Sequence, residues 1–322
     1  MKIAKKLFII FGIVLICIVL YGCAKNTKNN AVTIGYFNNV THAQALYMKA
    51  QGLLEDQLGE DFKVKWVAFN AGPAEVEALF AGEIDLGYIG PVPAITANVK
   101  SHGDILILSG ATKAGAELIK AKGSKITKIS DLSGKIIAIP QIGNTQHLCL
   151  LKLLSDNGLA TVENGGSVTV TAVDNADVQN LMDRGNIDAA FVPEPWGSTL
   201  VGGGAEIMLD YDEVYMSGDY PVAVVVVRKE FLENNPEFVE QFLKLHSEIT
   251  DKASKAPDSV RTIVNEEINN ATGKSLSENI LAMAFRKILF STDVNEAALE
   301  DFASISIKEG FISSGFKNIL VK

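Results

Sequence analysis

The chain has 322 residues, of which 48% are hydrophobic and 21% charged, and its net charge is −9. That length can bury a sizeable core and, at roughly 100–200 residues per domain, predicts two lobes. An acidic chain without basic clusters excludes nucleic acid as a partner.

The sequence begins with the basic stretch MKIAKK, continues as the apolar run LFIIFGIVLICIVL and reaches LYGC, which ends on Cys23. The run is short for a spanning helix, so residues 1–22 read as an export signal. LYGC resembles a bacterial lipobox, which implies cleavage before Cys23 and diacylglyceryl attachment to its sulfur. The other reading is a retained membrane anchor. Both put the bulk of the chain on the extracytoplasmic face of the cell membrane. Loss of Lys2, Lys5 and Lys6 with the signal takes the net charge to −12. Residues 23–30 are polar and read as a lipidated tether. Of the three cysteines, Cys17 leaves with the signal and Cys149 falls on an apolar helix face. No disulfide framework or metal-ligand spacing remains, and no metal or cofactor is expected.

Order begins at AVTIGYF (31–37), a strand, followed by the helix THAQALYMKAQGLLEDQL with Thr41 as its N-cap. FKVKWVAF alternates and predicts a strand. NAGPAEVEALFAGEID turns into a helix with Pro73 near its start and Gly82 at its end, and LGYIG is the next strand. From residue 135 the pattern recurs: KIIAIP, TQHLCLLKLLSDNGL, SVTVTAV, NADVQNLMDRG and DAAFVP alternate strand and helix. GEIDLGYIGPVP (82–93) returns as GNIDAAFVPEPW (185–196) at an offset of 103 residues, and Thr41 and Thr145 begin corresponding helices 104 apart. We read this as two similar α/β lobes, each P-x-P turning the chain away along the rim of a cleft. The apolar runs in GDILILSGATKAGAELIKAKG and DYPVAVVVVRKEF suit two strands that cross between lobes as a hinge. Lobe one is then 31–113 and 222–322, lobe two 114–221, with parallel-rich sheets and a helical tail from 229 packed on lobe one.

Ligands in open α/β sheets bind beyond the carboxyl ends of the strands. That rule nominates Asn38, Asn39, Thr41 and His42; Asn70, Ala71 and Gly72; Gly90 and Pro91; Gln141, Gly143, Asn144, Thr145 and Gln146; and Pro193, Glu194, Pro195 and Trp196. The first hinge run adds Thr112, Lys113, Ala114 and Gly115. None of the four arginines (Arg184, Arg228, Arg261 and Arg286) lies in these loops, and Lys113 is their one positive charge. An arginine clamp on a carboxylate or phosphate is therefore absent. Free N–H groups at a helix start, as at QIGNTQ, bind an anion without formal charge, and Thr145 also reads as the cap of that helix. Trp196 is equally wall or core, and Glu194 either bonds within the hinge or selects a ligand with an ammonium group. His42 reads as a loop donor and His147 as packed on its helix. No nucleophile elbow, zinc-protease motif or glycosidase-like acid pair is present, so no catalytic residue is expected.

The series FNAGPAEVEALFAGEIDLGYIGPVPAI, SDLSGKIIAIPQIGNTQHLCLLKLL and NIDAAFVPEPWGSTLV resembles the nitrate/sulfonate/taurine group of ABC-transporter solute-binding proteins over roughly residues 31–245. The resemblance implies a two-lobed type II periplasmic-binding fold, a lipoprotein that acts as a monomer, and docking on the transmembrane subunits of a permease. It places ligand contacts at Asn39–His42, Gly90-Pro91, Gly115, Asn144-Thr145 and Glu194/Trp196, with Gly72 and Gln141 in the neighbouring loops. GNTQ and PEPW point within the family to an aliphatic sulfonate such as taurine or an alkanesulfonate. Nitrate, a pyrimidine thiamine precursor or another small heterocycle are the alternatives. A pyrimidine-precursor synthase on the same fold would be cytosolic, against the signal, and a surface sensor without transport is the third class.

Overall fold

A computed structural model of the chain describes residues 31–59, 62–255 and 258–321. The signal, Cys23 and the tether lie outside the described residues. Eleven strands are present among those described: β1 Ala31–Phe37, β2 Lys63–Phe69, β3 Leu86–Ile89, β4 Ile105–Ala114, β5 Ala116–Lys120, β6 Ile136–Ile139, β7 Thr169–Ala172, β8 Ala189–Pro193, β9 Glu206–Leu209, β10 Pro221–Arg228 and β11 Ile288–Phe290. They form two sheets, one per lobe, ordered β11-β4-β10-β3-β1-β2 and β7-β6-β8-β5-β9.

The sheets are mixed, where alternating strand and helix had predicted parallel-rich ones. β1 pairs with β3, and β6 with β7 and β8, in parallel. β10 runs antiparallel between β3 and β4, and β5 antiparallel between β8 and β9. The returning chain supplies β10 to lobe one, and its VAVVVV run follows from burial on both faces. Val222, Val224 and Val226 pack into one core, while Ala223, Val225 and Val227 pack into another on the opposite side, at the period of two that a strand imposes.

The crossing between sheets is abrupt. β4 ends at Ala114 and β5 begins at Ala116, and both residues at the break are left-handed, Ala114 at φ 58° and Gly115 at φ 75°. A side chain at 115 would also meet Ile288, whose Cγ1 lies 2.7 Å from the position a Cβ would take. Glycine suits both demands.

Each P-x-P opens a helix instead of a rim turn. Pro91 and Pro93 sit in the first turn of the helix Pro91–Lys100, and Pro193-Glu194-Pro195 leads into the helix Trp196–Gly202. Proline lacks the N–H that a first helical turn leaves unpaired, so it fits there without cost.

The tail carries the helices Lys229–Asn234, Pro236–Ser254, Asp258–Thr272, Glu278–Arg286 and Glu296–Lys308, and also the strand β11, which pairs with β4. It packs on both lobes, not on lobe one alone. In lobe two, Lys308 Nζ reaches Ser155 Oγ at 3.0 Å and Phe311 stacks on His147 at 5.2 Å.

Candidate functional site

The two lobes enclose a small chamber at the carboxyl ends of their strands, with about 20 Å³ open to the centre of a water molecule. That is room for about one water. Lobe one contributes Phe37, Asn39, Thr41 and His42 after β1, Asn70, Ala71 and Gly72 after β2, and Gly90 and Pro93 after β3. Lobe two contributes Pro140, Asn144, Thr145 and Gln146 after β6, Asn175 after β7 and Pro193 of β8, while Val222 of β10 closes one side. Three helices, Gly72–Ala81, Pro91–Lys100 and Thr145–Asp156, begin at this wall. Their unpaired N–H groups and dipoles favour negative charge there.

Of the residues nominated from the sequence, Asn39, Thr41, His42, Asn70, Ala71, Gly72, Gly90, Asn144, Thr145, Gln146 and Pro193 line the chamber; Asn38, Pro91, Thr112, Lys113, Ala114, Gly115, Gln141, Gly143, Glu194, Pro195 and Trp196 do not. Pro91 forms the first turn of its helix and Gly115 the crossing. Phe37, Pro93, Pro140, Asn175 and Val222 line the chamber without having been singled out. The strand-end rule that nominated Asn70 would equally have found Pro140 and Asn175. Nothing local marks Phe37 or Val222, which are apolar strand residues.

Contacts across the cleft hold the lobes together. Asn70 Nδ2 donates to Asp174 Oδ1 at 2.9 Å, Val40 N to the Glu194 carbonyl at 3.1 Å, and Trp196 Nε1 to Asn39 Oδ1 at 2.7 Å. Asn144 caps its own helix, accepting from His147 N at 2.8 Å. Thr145, expected as a cap, instead turns its hydroxyl toward Val92 N across the cleft, at 3.4 Å. Its Oγ1 would lie 2.6 Å from a Cβ on residue 90, so only Gly90 permits this approach.

These bonds fix which atoms are left facing inward. An indole N–H can only donate, so Trp196 takes the Asn39 carbonyl oxygen and turns the NH₂ group away from itself. His42 Nδ1 accepts from Phe37 N at 3.2 Å, which places its proton on Nε2. Burial lowers the His42 imidazole to about 3, so it is neutral and a donor. Asn144 Nδ2 donates to Gln146 Oε1 at 3.1 Å, committing that oxygen and leaving the Gln146 NH₂ as a donor. The lining contains no lysine, arginine, aspartate or glutamate. It is a wall of neutral donors and helix starts.

Glu194 lies behind this wall. Its carboxylate accepts from Ser198 N at 3.2 Å and Ser198 Oγ at 2.8 Å, and pairs with Lys287 from the tail at 3.2 Å. Lys287 also meets Glu117 of β5, whose carboxyl is pushed up to about 9, by burial first and the Glu194 charge second. Gly197 leaves the space, since a Cβ there would come within 2.1 Å of Glu117 Oε2. Glu194 is thus a partner within the hinge, of the two roles weighed for it. Trp196 is buried in the core of lobe two and acts on the chamber through Asn39. Cys149 is buried and its thiol raised to about 12 by that burial. Among the described residues, no group of His, Cys, Asp or Glu could hold a metal ion, and no helix is long and apolar enough to cross a membrane.

A family model described as the NMT1-like family matches residues 25–265. The chain belongs to the NMT1-like family. Among the chain's relatives, a putative aliphatic sulfonates-binding protein of Escherichia coli is 30% identical over 236 residues, covering 73% of this chain and 70% of that one. The taurine-binding periplasmic protein of Escherichia coli is 32% identical over 182 residues, covering 56% and 54%. The alkanesulfonate-binding protein of Xanthomonas axonopodis pv. citri, solved with MOPS bound, superposes with a TM-score of 0.71 at 22% identity, covering 90% of this chain and 96% of that one. The periplasmic aliphatic sulphonate binding protein of Escherichia coli does so with a TM-score of 0.71 at 23% identity, covering 91% and 92%. The NMT1-like chain therefore has the two-lobed periplasmic-binding-protein fold.

Proposed function

We propose that this chain is the extracytoplasmic receptor of an ABC importer. It captures a small sulfonate in the interlobe chamber and delivers it, as a monomer, to the transmembrane subunits of a permease. Cys23 carries the lipid that keeps it at the membrane. The observation that carries the ligand class is the chamber wall: three helix N-termini and the donors of Asn39, His42 and Gln146 converge there with no charged side chain. Such a wall suits a compact anion with several acceptor oxygens and disfavours a cation. The names of the two Escherichia coli relatives support the same class.

Closure follows from the geometry. Asn39 and Gly90 belong to lobe one, and Asn144 and Gln146 to lobe two. A ligand that touches both sets binds the closed state more tightly and shifts the population toward it. The chamber as it stands holds about one water, less than a sulfonate head needs, so the lobes must sit further apart around a bound ligand than they do here.

Thermal unfolding of the detergent-solubilised full chain against taurine, alkanesulfonates, sulfate, nitrate and pyrimidines tests the reading. A true ligand adds about 2.7 kcal/mol at a hundredfold excess over Kd. Trp196→Phe frees the Asn39 amide to turn and should weaken sulfonate binding about tenfold, near 1.4 kcal/mol. Stabilisation by a pyrimidine alone would replace the sulfonate with a heterocycle.

A further inference from the structure

Glu117 and Glu194 are both fully buried and share one cation, Lys287. The sheet of lobe two brings the two acids together. Glu117 of β5 pairs with Val192 of β8, so Glu194, two residues beyond Val192, turns to the same face as Glu117. The tail brings the cation, since Ile288, the residue after Lys287, pairs with Ala114 beside the crossing. One ammonium balances one carboxylate, and a second charge buried beside it would stand uncompensated. The hydrogen bonds distinguish the two acids. Both oxygens of Glu194 accept, from Ser198 N at 3.2 Å and from Ser198 Oγ at 2.8 Å, and Glu194 pairs with Lys287 besides. Glu117 meets Lys287 through Oε1, and its Oε2 has no partner among the described residues. Asp210 after β9 and Tyr220 before β10 also face Glu117, and neither is a base. Its carboxyl, pushed up to about 9 by burial and then by the Glu194 charge, therefore holds its proton at neutral pH.

The residues around Glu194 reach the chamber. Its carbonyl accepts from Val40 N across the cleft at 3.1 Å, and Trp196, two residues on, holds the Asn39 oxygen at 2.7 Å. Pro193 is itself part of the chamber wall. We propose that Glu117 is a positioning residue for ligand capture, which through Lys287 and Glu194 fixes the Pro193–Trp196 loop and with it the Asn39 amide. While Glu117 keeps its proton, Lys287 belongs to Glu194. Once the proton leaves, a second carboxylate competes for the same ammonium and repels Glu194 in the protein interior. The loop then loses its anchor and Asn39 its orientation. Glu117 does not line the chamber and acts only through these contacts. The inference rests on the receptor reading but not on the sulfonate.

Two measurements on the detergent-solubilised full chain test it, each repeated with Glu117→Gln, whose amide keeps the shape of the protonated acid at every pH. The first is calorimetric titration with ethanesulfonate, which does not titrate in the range used. The chamber wall has no acid, lysine or arginine, and burial already holds His42 neutral. Affinity should hold to about pH 8, fall about tenfold by about pH 10, a unit above the Glu117 value of about 9, and stay level in Glu117→Gln. The second measurement needs no ligand. The chain has two tryptophans, so Trp66→Phe leaves Trp196 as the reporter of its own loop. Its emission should move to longer wavelength over the same pH range and stay fixed when Glu117→Gln is added. An emission that ignores pH, or a shift or fall in affinity that persists in Glu117→Gln, overturns the positioning role and leaves the receptor reading standing. Failure of ethanesulfonate to bind at neutral pH overturns the sulfonate reading, and the emission then decides the role of Glu117.

Discussion

Glu75 offers a test of the energetics that needs no ligand. It sits in the first turn of the helix Gly72–Ala81, fully buried, and neither carboxyl oxygen has a hydrogen-bond partner. The group points at the backbone of two neighbouring strands. Cβ atoms on Gly35 of β1 and Gly87 of β3 would come within 2.2 Å and 1.9 Å of its Oε1. Those glycines make the cavity that the carboxyl fills. Burial raises Glu75 well above its ordinary 4.5, so the folded protein holds it neutral. Between 4.5 and the folded value the native state binds a proton that the unfolded chain does not, so stability is full at low pH and falls as pH rises. Glu75→Met keeps the length and replaces the acid with a thioether. It should stabilise by about 1–3 kcal/mol through removal of an unpaired buried group. Its advantage should grow by about 1.4 kcal/mol per pH unit above 4.5 until the folded value is reached. Urea denaturation of both proteins at about pH 5, 6 and 7 measures this directly. A variant no more stable than wild type, with a parallel pH profile, would refute the reasoning.

Three further outcomes are expected. Burial lowers His42 to about 3, and His147 and His246 to about 4 each, so their contribution is present above 6.5 and lost as pH falls below it. Glu117, raised to about 9, acts in the opposite sense above 4.5, and Glu117→Gln should therefore flatten the decline in stability between neutral pH and about 9, read by urea denaturation. An unchanged alkaline limb would show Glu117 to be ionised in the folded protein. For the membrane attachment, Cys23→Ala should move the processed chain from the membrane fraction to the soluble one. A variant that is processed and still sediments with membranes would eliminate the lipid anchor.

Much of the chamber was legible because strand ends and helix starts leave local marks. Asn39, Gly72, Gly90 and Asn144 each follow an apolar run and precede a helical pattern, and the fold brings them to one place. What stayed hidden depends on pairings distant in sequence. Glu194 read as either a hinge group or a ligand contact because its cation, Lys287, lies in the tail and belongs to no nominated loop. Trp196 looked equally like wall or core because its role depends on Asn39, which the fold alone delivers. β11 escaped because FRKILF continues the apolar pattern of the preceding helix, and three residues are too few to reveal a period of two. Thr145 looked like a cap because the adjacent Asn144 has the same propensity, and only one of them can hold that position.

The interleaving of lobe one has a consequence for the order in which the molecule can be made. β5 to β9 all fall between residues 116 and 209, so the second sheet has its strands as soon as that segment exists. The first sheet does not. β4 needs β10 on one side and β11, at residues 288–290, on the other. During synthesis from the N-terminus, β1 to β4 must wait for a central partner made more than a hundred residues later, and such distant pairing is slow to form. The first sheet therefore stays unfinished until the tail has been made, long after the second sheet has all its strands.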